Sequence, residues 1–184
     1  MLKLLYTLLS IVLCISCSQN IQTQEKPNNT QKIVEQNTLK ETVQTLVFKD
    51  IPYTDSTNFD NYEFQETDLN KLPTTYSFDL NKENISDIRL RYKLNLSNKF
   101  ESLVISYLLG EHELYTTLIN FDQNKKAIDM LDIAYDEIAE SAFRSISVIS
   151  ENSITKYQYN FMNEDETLEA ENYEISEQGF FTKN

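Results

Sequence analysis

Arg89-Leu90-Arg91-Tyr92-Lys93-Leu94-Asn95-Leu96 alternates strictly between polar and apolar side chains. Leu90, Tyr92, Leu94 and Leu96 fall on one side of an extended chain. Arg89, Arg91, Lys93 and Asn95 fall on the other. A period of two marks a half-buried strand, because successive side chains of a strand point to opposite faces. The same residues wound as a helix would scatter their apolar side chains around the axis.

The segments downstream repeat the theme. Leu103–Leu109, Leu114–Phe121, Ala127–Ala134, Ala142–Ser150, Ile154–Phe161, Leu168–Ile175 and the short Phe180–Thr182 are each rich in Val, Ile, Tyr, Phe or Thr. Each stops at a turn signal. Gly110 and Gly179, the two glycines of the chain, punctuate two of the turns, and Asn124 is expected to take the left-handed conformation in a third. Asn163-Glu164-Asp165-Glu166 closes a fourth hairpin, and Asp136–Glu140 is long enough for one helical turn. Connections this short leave no room for crossover helices, so neighbouring strands are antiparallel.

The fold class is therefore mainly β: an antiparallel meander of seven to eight strands over 86–184, curled or closed into a barrel. Upstream, 33–85 reads as a helix followed by an irregular segment. Ile33, Val34, Leu39, Val43, Leu46 and Val47 give a partial helical period over 33–49, although Val43 to Phe48 also reads as a strand. Pro52, Pro73 and the turn formers between them make 50–85 irregular, with one short strand at Thr75–Leu80. A lipocalin-like barrel has the right number of strands. The Gly-x-Trp motif of that family is missing, and the chain has no Trp.

Composition excludes several function classes. Two glycines cannot build a dinucleotide or phosphate loop, and one histidine cannot build an H-E-x-x-H zinc site. Two cysteines cannot build a four-cysteine metal site. A formal net charge of −13 disfavours nucleic acid, whose phosphates need clustered Lys and Arg. No cofactor is expected, and no catalytic residue can be assigned.

The start of the chain reads as a targeting segment. Lys3 precedes a mostly apolar run, Leu4 to Ile15, that is too short for a membrane span of about 20 residues but has the length of a signal-peptide core. The run ends at Cys14-Ile15-Ser16-Cys17-Ser18. This stretch resembles the lipobox of bacterial lipoproteins, with Ser16 in the small position before the cleavage point. Cys14 stands where that family usually has Leu. The resemblance implies a signal peptide over 1–16, lipidation of Cys17, and anchorage in the cell envelope, with Ser18 matching the outer-membrane default. Whether the protein faces the periplasm or the exterior stays open. Each buried acyl methylene contributes about 0.8 kcal/mol, so two or three chains on one cysteine hold firmly. Residues 17–32 are then the lipidated cysteine and a polar tether with a reach of about 20 Å. Residues 33–184 form one domain, without a thiol to make a disulfide.

Arg89, Arg91 and Lys93 form the one basic row in an otherwise acidic chain. Three readings apply: an edge strand whose charges block unwanted pairing, pairing with Glu169 and Glu171 if the sheet closes, or a surface for an anion or a protein partner. His112, between Glu111 and Glu113 at a hairpin tip, reads as a solvated turn histidine. The acidic windows 129–140 and 163–177 read as solvated surface, since neither matches a calcium loop. Asp55-Ser56-Thr57 resembles a short bacterial O-glycosylation site. Tyr and Phe recur along the strands, where they either pack or stack on sugars. Taken together, the residues point to a lipid-anchored module that binds a protein or surface-polymer partner. A small apolar ligand in a barrel and a carboxylate-based hydrolase are the alternatives.

Overall fold

The computed structural model describes residues 46–62, 67–68, 75–138, 142–162 and 167–184. The strands are β1 (Phe48–Lys49), β2 (Tyr53–Asp55), β3 (Thr67–Asp68), β4 (Ile85–Leu94), β5 (Glu101–Leu109), β6 (Glu113–Phe121), β7 (Ala127–Glu137), β8 (Phe143–Ile149), β9 (Ser153–Asn160), β10 (Thr167–Ile175) and β11 (Phe181–Lys183). From β4 to β11 each strand pairs antiparallel with the next, which is the expected meander. β1 joins β4 in parallel, so the sheet is mixed. It does not close into a barrel. No helix is present among the described residues, and residues 33–45 of the expected helix lie outside them; Phe48 and Lys49, at its end, are strand. Thr75–Leu80 is extended but holds only a single bridge, Ser77 to Lys126. Of Asp136–Glu140, expected to allow one helical turn, Asp136 and Glu137 end β7, and residues 139–140 lie outside the described residues.

The sheet is divided at one place. β7 and β8 meet only through Tyr135–Ser145 and Asp136–Arg144. Beyond that corner they part, and the end of β8 takes β2 as its neighbour, with Asp55 opposite Ser147. Two half-sheets, β4–β7 and β8–β11, therefore face each other over a shared core. Tyr92, Leu94, Val104, Leu118 and Ile133 enter it from one half, and Ile149, Ile154 and Ile175 from the other. Fully burying one such aliphatic side chain contributes roughly 1.5–3 kcal/mol. A second core covers the opposite face of the first half, where Leu90, Leu103, Ile105, Tyr107, Ile119 and Phe121 meet Tyr76, Phe78 and Leu80. Burial on both faces explains why Leu103–Ile105 is an unbroken apolar run.

Bulges correct the alternation expected for β4. Leu90 pairs with Ile105 and Tyr92 with Val104, so Arg91 is an extra residue. One inserted residue moves all later side chains to the other face. Leu90 consequently joins the second core, while Tyr92, Leu94 and Leu96 join the first. In β7 the same device adds Ile133 between the partners of Thr116 and Thr117. The turn after β6 places Lys125, rather than the expected Asn124, at positive φ (63°). Gly179 (φ 91°) tucks under Phe100, and a Cβ there would lie 3.1 Å from Phe100 Cδ1.

Candidate functional site

Where β7 departs from β8, a cleft of about 350 Å³ opens between the two half-sheets. Tyr115 of β6 and Asp132 and Tyr135 of β7 form one wall; Phe143, Arg144 and Ser145 of β8 form the corner. Lys156, Gln158 and Asn160 of β9 line the opposite side, with Thr167 and Glu169 of β10. A second hollow of about 340 Å³ shares Asp132 and Lys156 with the first and reaches Lys82, Tyr107 and Tyr173.

The wall is built from aromatic rings and saturated hydrogen bonds. Tyr107 and Tyr115 are cross-strand partners with parallel rings, 5.5 Å apart at an angle of 7°. Tyr115 continues to Tyr135 at 4.9 Å, and the Tyr135 hydroxyl donates to Glu137 at 2.7 Å. The Lys82 amine lies 3.4 Å from the centre of the Tyr115 ring, a cation–π contact. It also donates to Tyr107 Oη at 2.7 Å and to Asp132 Oδ2 at 2.9 Å. The Thr117 hydroxyl donates to Asp132 Oδ1 at 2.5 Å. Burial by itself would lower the Lys82 pKa, but its bonds to Tyr107 and Asp132 prevail and hold it above the usual lysine value. Burial and the Asp132 charge push the Tyr107 hydroxyl up.

Two polar groups in the cleft are differently placed. Ser145 Oγ is buried and has no hydrogen-bond partner among the described residues. Lys156 is half-buried, and burial is the first cause of a pKa below the ordinary lysine value.

The basic row does not assemble into a shared exposed surface. Arg89 is paired with Asp87, its Nη2 lying 2.5 Å from Oδ1. Arg91 is half-buried at the bulge. Lys93 is buried, 3.3 Å from Glu101 and beneath the Phe48 ring. The alternative pairing with Glu169 and Glu171 is also corrected, because β4 and β10 are not neighbours and Glu171 bonds Lys183. His112 sits exposed in the turn between β5 and β6. Asp55 and Thr57 are buried and bond each other, which gives that motif a structural task. Among the described residues no three His, Cys, Asp or Glu side chains cluster as metal ligands, and no helix is long and apolar enough to cross a membrane. Cys17, the expected lipid anchor, lies outside the described residues.

Sequence reasoning passed over Lys156. The available signal was parity: Lys156, Gln158 and Asn160 follow Ile154 at every second position, a polar run continuing from a core residue. No known protein family, curated protein or solved structure matches the chain.

Proposed function

We propose that the protein is a lipid-anchored binding module of the bacterial cell envelope, held by Cys17, that takes a saccharide of a surface polymer into the cleft between its half-sheets. One observation carries the reading: one open cleft is lined by aromatic side chains (Tyr115, Tyr135, Phe143) beside amide, hydroxyl and carboxylate groups (Gln158, Asn160, Thr167, Glu169). Sugars offer apolar ring faces and a rim of hydroxyls, so they need both kinds of partner at once. An enclosed apolar ligand is less well served, because the sheet is open. A carboxylate-based hydrolase needs two acids free to act across the cleft, whereas Asp132 is engaged by the Lys82 amine and the Thr117 hydroxyl.

Two measurements test the reading. Cys17→Ala is expected to move the protein from the membrane to the soluble fraction; unchanged membrane association refutes the anchor. A panel of envelope polysaccharides is expected to retain the soluble domain. Phe143 is an exposed side chain at the cleft rim, so Phe143→Ala should weaken retention about tenfold, about 1.4 kcal/mol, without altering the fold. Retention by no polysaccharide would remove the saccharide reading.

A further inference from the structure

Lys156 is surrounded by charge yet excluded from every ion pair near it. The carboxylates whose charge acts on it are Asp132 and Glu171. Asp132 is taken by the Lys82 amine and the Thr117 hydroxyl. Glu171 stands directly opposite Lys156 in the β9–β10 ladder, but is taken by Lys183 and by the Tyr173 hydroxyl at 2.8 Å. The Lys156 amine has no hydrogen bond or ion pair among the described residues. Lys82 and Lys183 thus hold Asp132 and Glu171, and the cleft's third carboxylate, the exposed Glu169, forms no ion pair among the described residues, so Lys156 is left without a partner. A half-buried ammonium without a partner is costly.

The orphan hydroxyl of Ser145 lies nearby. Ser147 pairs with Lys156 and Ser145 with Gln158, so Ser145 and Lys156 are diagonal neighbours on one face of the β8–β9 ladder. An amine and a hydroxyl, each lacking a partner, therefore border the same cleft.

We propose that Lys156 is the anion-recognition point of the cleft, receiving a carboxylate or phosphate group carried by the ligand. This rests on the saccharide reading and adds that the saccharide is acidic. The bound anion restores the missing counter-charge and relieves repulsion from Lys82 and Lys183. Lys156 then gains affinity for its proton, so binding takes up protons and weakens as pH rises past the pKa of the free amine. The charged and titrating groups facing it are Tyr107 on β5, Tyr115 on β6, Asp132 and Tyr135 on β7, Arg144 on β8, Glu169, Glu171 and Tyr173 on β10, Lys183 on β11, and Lys82.

The test follows the Lys156 Cε and Nζ resonances by NMR during titration with acetate, inorganic phosphate and, as a neutral control, glycerol. A saturable shift with either anion and none with glycerol is expected; the stronger anion identifies the chemistry. Lys156→Met should remove the shift and cut retention on acidic polysaccharides at least tenfold, while leaving the melting temperature equal or higher. An indifferent Lys156 resonance overturns the proposal, as does a melting temperature lowered in the manner of a broken structural ion pair. The two readings fail separately. Equal retention of wild type and Lys156→Met on polysaccharide removes the anion site alone. An anion response at Lys156 without retention on any polysaccharide removes the saccharide alone.

Discussion

Asp55→Ala is expected to lower the unfolding free energy by about 3–5 kcal/mol, because it leaves three donors of a buried network without their acceptor. Asp55 is 1% exposed. Its Oδ1 accepts the Thr57 N–H at 2.9 Å and the Thr57 hydroxyl at 2.6 Å. Its Oδ2 accepts the Tyr92 hydroxyl at 2.5 Å. Tyr92 is itself buried, and burial followed by the Asp55 charge drives its pKa far above the usual tyrosine value, so it remains a donor at every working pH. Removing the carboxylate orphans three donors, each costing about 1–3 kcal/mol when buried. It also unpins β2, whose Tyr53 ring meets Tyr92 edge-on at 5.1 Å. The relief of desolvating one carboxylate less offsets part of this, which keeps the total below the plain sum. Urea unfolding at neutral pH measures the effect. A loss under about 1 kcal/mol would show that the network is not a support of the fold. Tyr92→Phe should cost less than Asp55→Ala, and the double variant should cost less than the two single losses added together, because they break one shared interaction.

Glu101→Gln should cost about 2–3 kcal/mol at neutral pH and progressively less in acid. Glu101 receives the Tyr76 hydroxyl at 2.7 Å and the Lys125 amine, with Lys93 at 3.3 Å. Lys93 is the buried member, and loss of Glu101 leaves its ammonium uncompensated. Burial pushes the Glu101 carboxyl up, but the Lys125 and Tyr76 hydrogen bonds and the Lys125 and Lys93 charges pull it below the usual value. A depressed carboxyl pKa contributes stability that is fully present above the unfolded value, about 4.3, and is lost as pH falls through the folded value. The gap between wild type and Glu101→Gln should therefore close on acidification. Denaturation curves collected at a series of pH values from neutral to strongly acid give the answer; a gap independent of pH contradicts the assigned charge state.

The meander was legible because β4 to β10 are long enough to carry a period, while the three residues of β11 were marked off by the turn at Gly179. The sequence bounds fall within a few residues of the strands; the largest departures are β4, which starts four residues earlier, at Ile85, and β7, which runs three further, to Glu137. The bulges were not legible. Inserting Arg91 or Ile133 changes which face each later side chain occupies while leaving the order of apolar and polar letters untouched. That is why the basic row, exposed on a regular strand, has Lys93 buried against Glu101 on the real one. β2 and β3 hold three and two residues, too few for any period, and their partners lie far along the chain. The cleft was half legible. Its tyrosines stood out, but their meeting depends on the parting of β7 from β8, which no local pattern encodes. Lys156 is defined by what its neighbours have already bonded, and that exists only in three dimensions.

The strap formed by β2 also fixes how a mechanical load would travel. A pull applied upstream of Leu46 first meets β1, two residues beside β4, and then β2, three residues beside β8. Both are short zippers, far weaker in tension than the meander behind them. Asp55, Ser147, Lys156 and Glu171 stand opposite one another across β2, β8, β9 and β10, in a single row. Tugging β2 loose strips that row of its first member two strands from the Lys156 amine. Under a pull from the N-terminal side, β1 and β2 would therefore part from β4 and β8 before the meander itself opens.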